Sequence, residues 1–135
     1  MSTHISVAAA NAKADAAVDL IDASTPTPGY LEIYDGAMPA TVATANAGNK
    51  LATLTFALPA FGAATNRVAT ANAIASDSDA DASGTPTYAR IYNGAGTAIM
   101  DVDAGVGSGS MNFNQAIVQH GVVSIMAMTY TQPLS

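Results

Sequence analysis

The six residues STPTPG, Ser24 to Gly29, divide the chain into two parts with different periods. Each proline fixes its own φ and pushes the residue before it out of the helical region, so no helix can run through this stretch. Upstream, residues 4–23 are rich in alanine and contain neither glycine nor proline, and Ser2 or Thr3 is placed to cap a helix. Downstream, from Tyr30 onward, apolar and polar residues alternate in twos, the period of a half-buried strand. The expectation is an N-terminal helix with a Pro-containing linker over residues 1–28, followed by a β-sandwich domain over 29–135.

In the helical part, Ile5, Ala8, Ala9, Ala12, Ala16 and Leu20 recur at helical spacing and form a narrow apolar stripe. Asp15, Asp19 and Asp22 fall largely on another face. The last two lie where the helix dipole disfavours negative charge, at about 0.3–1 kcal/mol each if exposed. Such a helix is marginal alone and needs a partner surface, either its own domain or a neighbouring chain. The stripe is therefore the candidate protein interface.

Strands are expected at 30–35, 51–56, 67–75, 85–92, 97–103, 110–114 and 121–131. Turn signals separate them: Asp35-Gly36, Gly48-Asn49, Asn93-Gly94, the glycines from Gly105 to Gly109, and His120-Gly121. This punctuation suits an antiparallel β-sandwich of about seven strands, or a small barrel. The clearest hairpin is IYNGAGTAIMDV, where Asn93-Gly94 is expected to supply the positive φ of a tight turn. The last strand carries apolar residues on both faces and reads as central.

Two echoes run through the β part. YLEIYDGA begins at Tyr30 and YARIYNGA at Tyr88, whereas VATANA begins at Val42 and again at Val68. A single duplication would give one offset and these differ, so the echoes read as convergent strand-and-turn solutions. Alternation places Ile33 and Ile91 in the core with Leu31 and Ala89, and turns Glu32 and Arg90 outward. On neighbouring strands, Glu32 and Arg90 could form a partly exposed cross-strand pair worth about 0.2–1 kcal/mol; on separate strands they are two solvated charges.

Charged residues make up 10% of the chain, against about 25% in an average soluble domain. Thirty alanines and no tryptophan leave a surface of Ala, Thr, Ser and Asn, suited to close contact with other proteins. The net charge is −6, with only Lys13, Lys50, Arg67 and Arg90 as cations. Four scattered cations cannot build the basic stripe that nucleic acid or an anionic membrane would require. The opening MSTHISVAAANAKADAAV lacks a basic region and reads as no signal peptide, and no window approaches a membrane span. Cysteine is absent, which removes disulfides and thiolate chemistry.

Only SDSDADASG, beginning at Ser76, resembles a chemical site. Asp77, Asp79 and Asp81 have calcium-loop spacing, but Ala82 and Tyr88 stand where that loop needs glycine and an acid. The stretch reads as an acidic turn whose side chains bond nearby backbone amides, with no metal expected. His4 and His120 lack a nucleophile pattern, and GAGTAIM and GVGSGS lack the lysine and helix of a phosphate cradle. No catalytic residue, cofactor or enzyme activity is expected.

The order of an Ala-rich helix, then LEIYDGAMPA, LATLTFALPAFGAA, ANAIASDSDADASGTPTYARIY and GVVSIMAMTYTQP resembles a group of small proteins encoded by tailed bacteriophages and prophages, often among structural genes. The resemblance spans nearly the whole chain and rests on strand and turn patterns. It departs at Tyr88-Ala89, where that group carries bulkier aromatics. The resemblance implies a virion structural protein of the capsid decoration (cement) type. Such a protein would be made in the host cytoplasm, sit on the outer capsid surface, and bind the major capsid protein as a homo-oligomer. The alternative is a tail- or fibre-associated β-sandwich that binds a host-surface carbohydrate through tyrosines clustered on one exposed face.

Overall fold

A computed structural model describes residues 3–106, 111–113, 116–125 and 127–132. Helix α1 spans Val7–Asp19 and tightens into a 3-10 turn over Leu20–Asp22. Its cap is Ser6, not Ser2 or Thr3: the Ser6 side chain accepts from the Ala9 amide at 3.1 Å. This later start shortens the helix expected over 4–23.

The helix lies on its own domain, and the face turned inward is Ala10, Ala14 and Val18, continued by Ile21. Side chains beside that face fasten it. Asn11 accepts from the Arg67 amide at 2.7 Å, Asp15 from the Ala64 amide at 2.7 Å, and Asp22 from the Ala60 amide at 3.2 Å. Asp22, one of the two acids expected to weaken the helix, thus makes a charge-assisted bond to a loop amide, as does Asp15. Gly29 closes the junction, because a Cβ there would lie 2.5 Å from Ile21 Cγ2 and 2.7 Å from the Tyr92 carbonyl oxygen. Of the two partner surfaces open to the helix, its inner face packs on its own domain.

The strands are β1 (Tyr30–Tyr34), β2 (Lys50–Thr55), β3 (Val68–Thr70), β4 (Tyr88–Tyr92), β5 (Ala98–Val106), β6 (Met111–Phe113) and β7 (Ala127–Thr131). They follow the order β2-β1-β4-β5-β6-β7-β3, with antiparallel pairing throughout except between β5 and β6. Strand β5 belongs to two sheets: residues 98–103 pair with β4 and residues 104–106 with β6. The protein is mainly β, with a sandwich-like layout behind an N-terminal helix, as its periods indicate. Strand β7 lies between β6 and β3, so its central placement holds, although residues 117–125 are irregular and only bridge to neighbours. Part of the Gly105–Gly109 turn falls outside the described residues.

Segment 75–84 ties the β2 margin to the irregular stretch 117–125 on one side. The Ala75 amide donates to the Thr55 carbonyl, the Asp81 amide to that of Leu51, and the Asp77 amide to that of Val123. Between these layers lie Leu31, Ile33, Leu51, Leu54, Phe56, Ile91, Phe113 and Met128, together with Val18 and Ile21 from the helical segment. Ile33 and Ile91 are fully buried, as the alternation requires. Ile33→Ala or Ile91→Ala should therefore cost about 2–5 kcal/mol in urea unfolding; a loss under about 1 kcal/mol at both would contradict this packing.

The β4–β5 hairpin differs in detail from its sequence signal. Positive φ falls on Gly96 at 86°, not on Asn93 or Gly94. The Asn93 side chain instead accepts from the amides of Ala95 and Thr97, each at 3.0 Å, and so shapes a longer loop. Gly94 is small because it abuts the Thr27 backbone.

Candidate functional site

The first echo resolves into a geometric statement. Strands β1 and β4 are antiparallel neighbours in the register Tyr30↔Tyr92, Leu31↔Ile91, Glu32↔Arg90, Ile33↔Ala89 and Tyr34↔Tyr88. Aromatic ends and charged centres therefore meet head to tail on one face, while the apolar residues share the core face. Tyr30 stacks on Tyr92 with ring centroids 5.0 Å apart, and Tyr34 on Tyr88 at 5.3 Å. Tyr88 and its stack with Tyr34 fill the outer face beside Ala89.

Glu32 and Arg90 are register partners, but neither forms the exposed pair that alternation suggested. Arg90 is 4% exposed. Its Nε and Nη2 donate to the two carboxylate oxygens of Asp101 on β5, at 2.7 and 2.9 Å. Its Nη1 donates to the Thr44 carbonyl at 2.7 Å, and Nη2 also reaches that of Thr41 at 3.4 Å. The hydrogen bonds to Asp101 hold the Arg90 pKa above its ordinary value, outweighing burial, which acts the other way. Glu32 accepts from the Tyr34 hydroxyl at 3.1 Å and faces Lys50 Nζ at 3.6 Å. Glu32 and Asp101 lie opposite Arg90 on its two sides, and Asp101 takes the guanidinium because the fork matches its carboxylate with two parallel bonds.

Residues 36–48 cross over this face and contain its hub, Asn46. The Asn46 amide nitrogen donates to the hydroxyls of Tyr34 and Tyr92, at 3.0 and 3.2 Å, and its oxygen accepts from Tyr88 at 3.1 Å. The Tyr88 hydroxyl also accepts from the Ala47 amide at 2.9 Å. Burial first, then the Glu32 charge, pushes the Tyr34 pKa well above the ordinary phenol value. Burial likewise raises that of Tyr92. These phenols stay protonated and act as hydrogen-bonding groups, which suits a latch and not a base.

The second echo carries two unrelated tasks. Asn46, in the first VATANA, ties the three tyrosines; Asn72, in the second, donates to the Pro59 carbonyl at 2.9 Å. Asp101 and Asn46 were missed by sequence reasoning. Asp101 had a usable signal, since hairpin pairing across Asn93-Gly94 places it beside Arg90. Asn46 had none.

The acidic turn disperses its carboxylates. Asp77 accepts from the amides of Thr53 and Asp79, at 3.0 and 2.9 Å. Asp79 meets His120 Nδ1 at 2.7 Å on the exposed surface, and Asp81 lies 3.7 Å from Lys50 Nζ. Among the described residues no three His, Cys, Asp or Glu side chains gather as metal ligands. The His120–Asp79 contact was not visible from spacing.

The stripe named as a candidate interface lies on the outward side of α1. Ile5 is half-buried, and Ala8, Ala9, Ala12, Ala16 and Leu20 are exposed. Among the described residues no helix is long and apolar enough to cross a membrane. No protein-family model, curated protein or solved structure matches the chain.

Proposed function

We propose that this chain is a bacteriophage virion structural protein, a capsid decoration (cement) protein that stabilises the head by passive contacts. Its partners would be the major capsid protein and further copies of itself, on the outer capsid surface. One observation carries the reading: α1 is fastened to the domain on its inner side, yet presents Ala8, Ala9, Ala12, Ala16 and Leu20 outward. A rigid, small-residue face lets another backbone approach closely, with Lys13 and Asp19 exposed beside it as its only charges. The acidic net charge of −6 favours the outside of a DNA-filled shell. The carbohydrate-binding alternative loses support, because Tyr34 and Tyr88 are buried beneath residues 36–48 and offer no exposed aromatic platform.

The test is co-purification with intact heads at a fixed ratio to the major capsid protein. Ala9→Glu or Ala12→Glu should lower that occupancy at least about tenfold, since an unpaired charge would enter the interface. Both sites face solvent in the isolated protein, so the thermal midpoint should stay nearly unchanged. Full occupancy by both variants, or absence of the protein from heads, would refute the proposal.

A further inference from the structure

We propose that residues 36–48 form a hinged strap that lifts off the β1–β4 face while the sheet stays folded, uncovering the tyrosine and guanidinium surface beneath. No residue from 35 to 50 is buried, so lifting the strap removes little apolar area of its own from contact. Its attachments are instead hydrogen bonds: Arg90 donates to the Thr41 and Thr44 carbonyls, the Asn46 amide donates to the Tyr34 and Tyr92 hydroxyls and accepts from Tyr88, and the Ala47 amide donates to the Tyr88 hydroxyl. Water can replace each of these, so each adds only a modest net stability.

The charge below the strap is balanced without it. Asp101, which neutralises Arg90, sits on β5, so opening leaves the ion pair intact and strands no charge. The roots are fixed close together. The Gly36 and Gly48 backbones touch, the Asn49 amide donates to Asp35 at 2.7 Å, and Thr87 Oγ1 donates to the Gly36 carbonyl at 2.5 Å. Gly48 has a φ of +82°, a region glycine enters freely, so the chain turns back at this root without strain. A segment with pinned roots, polar ties and no buried anchor opens as a unit.

Native-state hydrogen exchange on the full chain tests this. The Ala47 amide, bonded to the Tyr88 hydroxyl, should exchange about a hundredfold faster than the β1–β4 ladder amides, with little dependence on denaturant. Asn46→Ala removes ties to three tyrosines and leaves the Ala47 bond in place. It should speed exchange at Ala47 about tenfold and leave the ladder unchanged. The idea is overturned if Ala47 exchanges only at the ladder's rate and with its denaturant slope. It is equally overturned if Asn46→Ala accelerates strap and ladder together, or leaves Ala47 as in the parent.

Discussion

Asp101→Ala should destabilise the protein by roughly 3–5 kcal/mol, among the largest losses available from one side chain. The substitution leaves the Arg90 guanidinium, 4% exposed, without its bonded carboxylate and with only two carbonyl acceptors. Unlike an aspartate, arginine cannot escape by losing its proton. The pair itself need not be strongly stabilising, because burying both ions costs nearly as much as their attraction returns. Arg90→Met combined with Asp101→Leu should therefore recover most of the loss, as the Thr41 and Thr44 carbonyls belong to exposed residues that water can reach. Urea unfolding of both single variants and the double variant measures the coupling. A single-variant loss below about 1 kcal/mol would mean that the guanidinium is solvated in solution.

Deleting residues 1–24 should abolish cooperative folding. The deletion removes Val18 and Ile21 from the core and the acceptors for the amides of Ala60, Ala64 and Arg67. Losing two large core side chains at about 2–5 kcal/mol each approaches the whole stability of a domain this size, about 5–15 kcal/mol. Loss of the sigmoidal thermal transition in circular dichroism is the expected result. A truncated protein that melts sharply would show that the helix is a detachable arm after all.

What the sequence disclosed follows from which forces are local. The change of period at Tyr30 and the alternation through Ile33 and Ile91 are set by each strand's own two faces, and both could be read directly. Helix placement was less legible, because alanine occupies both sides of α1: Ala10 and Ala14 face the core, while Ala8, Ala9, Ala12 and Ala16 face solvent. Residues nearly equal in size and polarity carry little information about direction. Spacing alone could not choose between these stripes; the larger Val18 and Ile21 mark the buried side. Asp22 misled for another reason. Its value lies in an amide about forty residues away in the chain, and a helix considered alone shows only its unfavourable position in the dipole. The Arg90 network required knowing which strand lies on each side of β4, which is a property of topology.

Three carboxylates also decide how the sheet terminates. Asp77 occupies the Thr53 amide on β2, at one margin of the ladder. At the other margin β3 folds against the limb that contains Ala60 and Ala64, whose amides are taken by Asp22 and Asp15. An open strand margin is a template on which further copies can polymerise, and charged residues are a common way to block it. Here the block is made by direct occupation of donors, so a chain with few charges places several of them where runaway stacking would begin. Cross-β growth from these margins would find those donors already engaged.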